Sequence, residues 1–264
     1  MTDIKLIVCD LDGTLLRGDK TISEYALNTL AACRKRGIKF AIATARSRFW
    51  VNRLEEILPM DAMITDGGSR AWLGLEPGDK KQIYHQLLTQ QQISNILAAL
   101  SKMPIYRITA ESENGYFFNY PMSENDYAQE LTGCDVVETD FKDFAVNNIH
   151  KMTAEIEPAF LPVLIEELPD ISILQYSGEL WTRFAPKHAT KWQAVLAVVE
   201  HMGIEPQNII CFGDDYNDVE MLKNAGIGVA MENAIGECKQ AADFVCKSNE
   251  EDGVAEFLSE LMLS

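Results

Sequence analysis

The first third of the chain alternates short apolar runs with longer amphipathic stretches. The apolar runs are bounded by turn residues and predict three buried strands, at residues 5–9, 38–43 and 62–65. Ser23 is a candidate N-cap for a helix that runs through residue 33, and Gly37 follows it as a stop signal. A second helix is expected over residues 47–57. Strands that alternate with helices in this way indicate βαβ units and a parallel sheet.

The last third of the chain repeats the same pattern. It predicts helices at residues 189–202, 219–224 and 253–262, with strands between them at residues 209–212 and 227–230. The middle region differs, because it predicts short strands at residues 116–119, 149–154, 171–175 and 179–184, with helices at 92–101 and 158–168. Strands without regular crossover helices are typical of an α+β domain with a largely antiparallel sheet.

These patterns predict an α/β fold with a doubly wound, mostly parallel, Rossmann-like core sheet and an inserted α+β domain. We place the core at residues 1–81 and 186–264 and the insert at residues 82–185. In an open parallel sheet, ligands bind beyond the carboxyl ends of the strands. The residues that follow the predicted strands are therefore the first candidates for a functional site.

The composition is that of an ordinary globular protein, with 264 residues of which 47% are hydrophobic and 24% are charged. The formal net charge of −17 argues against nucleic acids and anionic membranes as partners, because both need a positive field on the protein. The same negative charge repels anionic substrates. A phosphate ester would therefore need a local cationic group, such as a metal ion or a well-placed lysine.

Signals of location and redox state are few. No stretch approaches the ~20 apolar residues of a membrane span, and the first apolar run is too short for a secretory signal. The six cysteines are scattered, with no C-x-x-C pair and no histidines at zinc-ligand spacing. We therefore expect reduced, buried thiols and a cytoplasmic protein.

Two acidic residues follow the first predicted strand. Asp10 and Asp12 are two positions apart, so on an extended segment their side chains point the same way. Neighbouring carboxylates repel each other unless a cation lies between them or one stays protonated. A solvated turn is the simplest alternative. A calcium loop is excluded, because its sixth and twelfth positions hold Leu15 and Thr21 instead of Gly and Glu.

A second acidic cluster, Gly213-Asp214-Asp215-Tyr216-Asn217-Asp218, follows the predicted strand at residues 209–212. Each cluster alone is compatible with a loop. Two clusters of hard oxygen ligands at the ends of two strands of one sheet can meet around a single Mg²⁺. Together they predict a magnesium centre.

With these motifs the sequence resembles the haloacid dehalogenase superfamily, and specifically its Cof-type phosphatase branch with a large inserted cap. The run Asp10-Leu11-Asp12-Gly13-Thr14 resembles the first motif of that family, and the segment at residues 213–218 resembles the fourth. Thr44 resembles the second motif and Lys191 the third. The similarity covers nearly the whole core and includes the C-terminal stretch at residues 241–255.

The resemblance implies a role for each of these residues. Asp10 would be the nucleophile that attacks phosphorus, and Asp12 would be the acid and base that serves first the leaving oxygen and then water. Thr44 would hydrogen-bond the phosphoryl group, and Lys191 would offset its charge.

The resemblance also implies the ligands of a Mg²⁺ ion. Asp10, the main-chain carbonyl of Asp12 and Asp214 would hold the ion, with Asp218 close to it. Asn217 would orient the centre and contact the phosphate.

A few residues depart from this pattern or compete with it. Ala45 stands where the second motif usually has Gly, so a left-handed backbone there would be strained. Asp66 stands where the branch commonly shows Asn before Gly, and Trp192 follows Lys191 where a small residue is usual. Lys187 is an alternative phosphate cation, and at four residues apart the two lysines could share one helix face.

These observations predict a cytoplasmic Mg²⁺-dependent phosphatase that hydrolyses small phosphorylated metabolites, sugar phosphates first, through a phospho-aspartyl intermediate. The insert at residues 82–185 would be a cap that selects the substrate. We expect a monomer or a weak homodimer with no nucleic-acid or membrane partner. Two alternatives remain open: a phosphotransferase or phosphomutase acting on sugar phosphates, and a non-catalytic sensor of a phosphorylated ligand.

Overall fold

The structure, a computed structural model, describes residues 3–74 and 80–263. Its strands, in chain order, are β1 (Leu6–Cys9), β2 (Lys39–Ala43), β3 (Ala62–Thr65), β4 (Arg70–Leu73), β5 (Lys81–His85), β6 (Ile108–Ser112), β7 (Gly115–Phe118), β8 (Asp135–Glu138), β9 (Ile149–Glu155), β10 (Ile171–Gln175), β11 (Trp181–Pro186), β12 (Ile209–Gly213), β13 (Ile227–Ala230) and β14 (Phe244–Val245).

The α-helices, in chain order, are α1 (Glu24–Lys35), α2 (Arg48–Val51), α3 (Gln90–Leu100), α4 (Asp126–Glu130), α5 (Leu161–Glu167), α6 (Lys191–Met202), α7 (Val219–Asn224), α8 (Gly236–Ala241) and α9 (Gly253–Leu258). Short 3-10 segments lie at Asn52–Leu54, Met122–Glu124, Pro158–Phe160, Pro206–Asn208, Tyr216–Asp218 and Asn249–Glu251. A π-helical turn, Ser259–Leu263, follows α9.

The chain folds into two compact units. The first contains Met1–Ala45, Leu54–Tyr84 and Thr190–Ser264, and the second contains Arg46–Arg53 and His85–Ala189. The second unit therefore interrupts the first in sequence. The predicted core, residues 1–81 and 186–264, includes Arg46–Arg53, which the structure groups with the second unit. The predicted domain boundaries stay a prediction.

The contacts of Arg46–Arg53 explain its place in the second unit. The N–H of Ser47 donates to the Tyr127 hydroxyl at 2.9 Å. Trp50 Nε1 donates to Glu130 Oε2 at 2.5 Å, and Arg53 pairs with the same carboxylate at 3.0 Å. The segment is thus attached to α4.

The sheet of the first unit has the strand order β14-β13-β12-β1-β2-β3-β4-β5. The strands from β14 to β3 are parallel to their neighbours, whereas β4 pairs with β3 in the antiparallel direction. The strand β1 is buried at every position, as expected for a parallel strand covered on both faces. The chain passes outward from β1 through β2 and β3, and later places β12 on the other side of β1. The carboxyl ends of β1 and β12 therefore form a topological switch point, where open α/β sheets bind ligands.

Two groups of helices pack in the first unit. The helix α1 contacts β2 and α9, while α6 contacts β3, β4 and α7. Ser23 caps α1 as predicted, accepting a hydrogen bond from the N–H of Ala26 at 2.9 Å. Thr190 caps α6 in the same way, and Gly203 ends it with a left-handed φ of 65°.

The sheet of the second unit has the order β10-β11-β9-β6-β7-β8 and is antiparallel except for the pair β7 and β8. Its core contains Ile93 and Ile96 of α3, Leu164 of α5, and Met152 and Phe184 of the sheet. An α+β unit of this kind, inserted into a mostly parallel α/β core, confirms the predicted fold class.

The predicted helix over residues 47–57 is wrong in its length. The helix α2 ends at Val51, and the chain continues as a 3-10 segment. Phe49, Trp50, Val51 and Leu54 are all buried, so the segment buries consecutive side chains instead of one helical face.

All six cysteines are free, and five of them are buried as predicted, whereas Cys134 is partly exposed. Among residues 3–74 and 80–263, no helix is long and apolar enough to cross a membrane.

Candidate active site

Asp10 and Asp214 lie one residue beyond the adjacent ends of β1 and β12. The N–H of Asp10 donates to the carbonyl of Phe212 at 3.1 Å, which continues the parallel pairing of the two strands. At the end of β12, a Cβ built on Gly213 would lie 2.4 Å from Asp218 Cβ, so only glycine allows this approach. The two predicted acidic clusters therefore meet at the switch point of the sheet.

Lys191 is buried between two of these acids. Its Nζ donates to Asp10 Oδ1 at 2.5 Å and to Asp218 Oδ1 at 2.6 Å. The side chains of Lys191 and Asp218 are fully buried, and that of Asp10 is 7% exposed. An unpaired charge would be costly here, and the two carboxylates offset the burial of the ammonium group.

Asp10, Asp214 and Asp218 form a cluster in which one carboxylate oxygen of each lies within 4.8 Å of the others. Asp214 Oδ1 accepts a hydrogen bond from the Thr14 hydroxyl at 2.7 Å. Asp218 Oδ2 accepts from the N–H groups of Asp214 and Asp215 at 3.0 and 3.1 Å. These bonds fix two of the three carboxylates, and the first and fourth motifs hold each other in place.

The electrostatics of the cluster follow from burial and from an excess of negative charge. Burial raises the pKa of Asp10, Lys191 opposes this rise, and Asp218 adds to it. Burial and the nearby Asp218 raise the pKa of Asp214 to about 7. Burial disfavours the charged form of Lys191, but Asp10 and Asp218 outweigh it and raise the pKa of Lys191. Three carboxylates thus share one ammonium group, a charge pattern that favours a further cation.

Gly13 brings the first motif against the fourth. Its φ is +76°, and a Cβ built on it would lie 2.3 Å from Asp214 Oδ2. The conformation favours glycine, and the contact leaves no space for a side chain.

Asn217 and Asp12 are not members of the cluster formed by the three carboxylates. Asn217 lies in the 3-10 segment Tyr216–Asp218, and its Oδ1 is buried with no hydrogen-bond partner among the residues that the structure describes. The side chain of Asp12 is partly exposed, and its Oδ1 accepts from Lys20 Nζ at 2.9 Å. The predicted contribution of Asp12 to a metal ion is through its main-chain carbonyl, and it stays a prediction.

Thr44 follows β2 at the same edge of the sheet and is buried. Its N–H donates to the carbonyl of Ile64 at 2.9 Å, and its own carbonyl accepts from the N–H of Gly67 at 2.9 Å. Ala45 is not among the described residues with a left-handed φ, so the absence of the usual Gly causes no strain there.

Lys187, the alternative phosphate cation, belongs to the second unit, where its Nζ donates to the carbonyl of Pro169 at 2.9 Å. The hypothesis that Lys187 and Lys191 share a helix face is wrong, because Thr190 caps α6 and the helix begins at Lys191. Lys191 is the lysine that the fold brings to the acidic cluster.

Sequence reasoning missed the amides that hold the loop after β1. Asn233 Nδ2 donates to the carbonyl of Gly13 at 2.7 Å, and Asn249 Nδ2 donates to the carbonyl of Leu16 at 2.8 Å. Single asparagines in loops carry no periodic signal. The resemblance noted at residues 241–255 is the only sign in the sequence, and it covers Asn249 alone.

A family model for haloacid dehalogenase-like hydrolases matches residues 7–258. The chain is similar to the 5-amino-6-(5-phospho-D-ribitylamino)uracil phosphatase YitU of Bacillus subtilis, with 29% identity over 97% of this chain and 96% of the relative. It is also similar to the putative phosphatase YkrA of Bacillus subtilis, with 29% identity over 99% of each chain.

Two solved structures have the same fold as this chain. A haloacid dehalogenase-like hydrolase from Bacteroides thetaiotaomicron has 25% identity and a TM-score of 0.82, over 98% of this chain and 100% of that chain. The subclass IIB sugar phosphatase BT4131 shares the fold, with 24% identity and a TM-score of 0.86 over 98% and 100% of the two chains. The resemblance and the enzyme class predicted from the motifs are therefore confirmed. This chain belongs to the haloacid dehalogenase-like hydrolase family, as an enzyme of its phosphatase type.

Proposed function

We propose that this protein hydrolyses phosphate monoesters of small metabolites, with sugar phosphates as the first candidates, in a Mg²⁺-dependent reaction through a phospho-aspartyl intermediate. The observation that carries the proposal is the convergence of Asp10, Asp214, Asp218 and Lys191 at the switch point of the sheet. Phosphoryl transfer depends mainly on positioning and on neutralising the charge of the phosphoryl oxygens. A nucleophilic carboxylate, a cation site and a lysine supply these needs.

The residues present fit a divalent cation. The three carboxylates provide hard oxygen ligands, their charge exceeds that of Lys191, and the buried Oδ1 of Asn217 is a further oxygen beside them in sequence. Asp10, Asp214 and the main-chain carbonyl of Asp12 would hold the ion, with Asp218 close to it. When bound, Mg²⁺ would supply positive charge to the phosphoryl oxygens.

Asp10 and Asp12 divide the chemistry between them. A carboxylate oxygen of Asp10 forms a bond to phosphorus while the bond between phosphorus and the ester oxygen breaks. Asp12 gives its proton to the leaving oxygen and then takes a proton from the water that attacks the phospho-aspartate. The second step releases phosphate and returns both acids to their starting states.

Thr44 and Lys191 bind the group that is transferred. The Thr44 hydroxyl donates a hydrogen bond to one phosphoryl oxygen, and the Lys191 ammonium offsets the charge of the others. Asn217 orients the centre and contacts the phosphate. Because the protein carries a formal net charge of −17, this local positive charge is what admits an anionic substrate.

The names of similar proteins support a phosphorylated polyol or sugar as the substrate. YitU is named for a phosphate carried on a ribityl chain, and BT4131 is named a sugar phosphatase. We propose that the insert at residues 82–185 acts as the cap that selects the substrate. We further propose a cytoplasmic enzyme that is a monomer or a weak homodimer.

A screen of phosphorylated metabolites tests this function. Hexose, pentose, flavin, pyridoxal and nucleotide phosphates are each incubated with and without Mg²⁺, and free phosphate is measured. We expect Mg²⁺-dependent release that is fastest with a sugar or polyol phosphate. A uniformly slow response would contradict the proposal. If added hexose accelerates the loss of phosphate from the donor and no free phosphate appears, the enzyme is a phosphotransferase. Saturable binding of a phosphorylated metabolite without turnover would identify a sensor.

A further inference from the structure

A four-residue turn between β3 and β4, residues 66–69, touches the main chain of both proposed phosphate-binding residues. The N–H of Gly67 donates to the carbonyl of Thr44 at 2.9 Å. Gly68 lies directly against the peptide that joins Thr190 to Lys191. One turn therefore contacts the backbone of Thr44 and of Lys191.

The contact at Gly68 has no room for a side chain. Its φ is +96°, and a Cβ built on it would lie 2.1 Å from the carbonyl carbon of Thr190 and 2.4 Å from the nitrogen of Lys191. Both are backbone atoms at the start of α6, and they cannot turn aside as a flexible side chain can. A shift of the turn is therefore transmitted to Lys191, the first residue of α6.

A buried ion pair holds this turn. Asp66 has a left-handed φ of 57°, which is unfavourable for a residue with a side chain. Its Oδ2 accepts from the Thr65 hydroxyl at 2.6 Å and from Arg70 Nε at 2.7 Å. The side chains of Asp66 and Arg70 are 0% and 1% exposed. The guanidinium group also lies over the ring of Trp72, 5.1 Å from its centroid.

The ion pair of Asp66 and Arg70 mainly fixes the conformation of the turn and adds little net stability to the fold. Removing two charges from water offsets much of their attraction, so a buried ion pair adds little stability over apolar packing. The planar guanidinium group has donors in fixed directions, and it fixes the carboxylate that it contacts. In this turn, the carboxylate that is fixed belongs to the residue with the strained backbone.

We propose that Arg70, acting through Asp66, is a positioning residue that sets the spacing between Thr44 and Lys191 to fit one phosphoryl group. This inference rests on the proposed function, in which those two residues bind the phosphoryl oxygens. The carboxylates that would hold Mg²⁺ follow β1 and β12 instead. Disturbing the turn therefore weakens the binding of phosphate more than the binding of Mg²⁺.

The test compares the wild type with Arg70→Gln, Asp66→Asn and the double variant, using para-nitrophenyl phosphate as substrate and inorganic phosphate as inhibitor. A displacement of about 1 Å in an active site lowers the rate by about 100-fold. We expect a comparable effect on phosphate binding, so Arg70→Gln should raise the inhibition constant of phosphate by about 10- to 100-fold. The Mg²⁺ concentration for half-maximal activity should rise by a clearly smaller factor, because the turn reaches Asp10 and Asp218 only through Lys191. The double variant should recover most of the loss, because it leaves no single buried charge and keeps an acceptor for Thr65.

Arg34→Gln is the matched control. Arg34 Nε pairs with Asp61 Oδ2 at 3.2 Å in the same unit, but the same carboxylate oxygen accepts from the N–H of Phe40, near the start of β2. This variant also loses an arginine from an ion pair, away from the carboxyl ends of the strands. We expect its phosphate inhibition constant to equal that of the wild type.

A second pair of variants keeps the test decisive should Arg70→Gln fail to fold, as judged by circular dichroism and thermal unfolding. Gly68→Ala adds a methyl group against the start of α6, whereas Gly37→Ala adds one at φ +86° with nothing within 4 Å. Both variants strain the backbone, but only the first displaces Lys191. Only Gly68→Ala should raise the phosphate inhibition constant.

Two results would overturn the inference while leaving the proposed function standing, provided that the wild type hydrolyses the ester. One is an unchanged phosphate inhibition constant in the folded variants of Arg70 and Gly68. The other is an equal loss of phosphate and Mg²⁺ binding, which would show a general collapse of the site. A wild type without turnover would count against the proposed function instead, and calorimetric binding of phosphate to the same variants would then decide the inference.

Discussion

Lys191 Nζ lies 2.5 Å from Asp10 Oδ1 and 2.6 Å from Asp218 Oδ1. One ammonium group at the start of α6 thus connects the residue after β1 with the acidic loop after β12. It gathers positive charge at a single point of a protein whose formal net charge is −17. That relationship makes Lys191 the first residue to test.

Replacing Lys191 with methionine keeps a long unbranched side chain and removes the ammonium group. We expect kcat/KM for a phosphate ester to fall by about 10²- to 10³-fold, because charge compensation at the phosphoryl oxygens is lost. Lys187→Met is the matched control, since that lysine is exposed and belongs to the second unit. Equal losses in the two variants would contradict the role given to Lys191.

Removal of divalent cations should abolish phosphate release, and added Mg²⁺ should restore it. Mg²⁺ should also raise the Tm, because a ligand that binds only the folded state stabilises it by about 2.7 kcal/mol at a hundred times its Kd. We expect Asp214→Asn to weaken this Tm response, and Asp135→Asn, at an exposed position of β8, to preserve it. Full activity in EDTA, or a Tm that does not respond to Mg²⁺, would contradict the proposed metal site.

Gly13→Ala should displace Asp214, because the new Cβ would lie 2.3 Å from Asp214 Oδ2. We expect Mg²⁺-dependent activity to fall by about 100-fold, the effect of a displacement of about 1 Å in an active site. Gly203→Ala is the control for backbone strain, with a φ of +65° and nothing within 4 Å of the added Cβ. Steady-state rates that fall equally in both variants would show that strain, and not contact with Asp214, is responsible.

Asp61 should make the stability of the fold pH-dependent. Burial works against its charged form, but hydrogen bonds from the N–H of Phe40 and from Lys39 and Arg34 outweigh it and lower the pKa of Asp61 below its usual 3.8. A carboxyl group with a lowered folded-state pKa stabilises the protein above its unfolded-state pKa, and the contribution is lost as pH falls through the folded-state pKa.

We therefore expect Asp61→Asn to lower the free energy of unfolding by about 1 to 2 kcal/mol at neutral pH. The difference from the wild type should shrink as pH falls below about 4. Urea titrations at a series of pH values measure it. A difference that persists unchanged in acid would show that the charge of Asp61 does not contribute.

The elements of the core are predictable because their signals are local. The predicted strands at residues 5–9, 38–43 and 62–65 correspond to β1, β2 and β3, and the cap at Ser23 is where its sequence context places it. The sequence analysis did not predict the strands β4 and β5 or the short helix α4. Their apolar runs are brief, and their place depends on pairing partners far away in the sequence.

The candidate site also has a part that local sequence signals predict and a part that they do not. Motif spacing predicts that Asp10 and Asp214 follow two strands of one sheet, and the structure brings them together. The ion pair of Asp66 and Arg70 is not predictable, because a spacing of four residues is a helical signal and only the turn between β3 and β4 makes the contact. Contacts made by turn geometry leave no pattern along the chain.

The proposed role of Asp10 as nucleophile is tested most directly by the turnover of Asp10→Asn. The amide keeps the shape of the side chain and an oxygen that can accept from Lys191, but it lacks the negative charge needed to attack phosphorus. With the best substrate of the screen and saturating Mg²⁺, we predict that phosphate release falls by at least about 10³-fold, with circular dichroism and Tm close to those of the wild type. Phosphate release at the wild-type rate would contradict the proposed reaction.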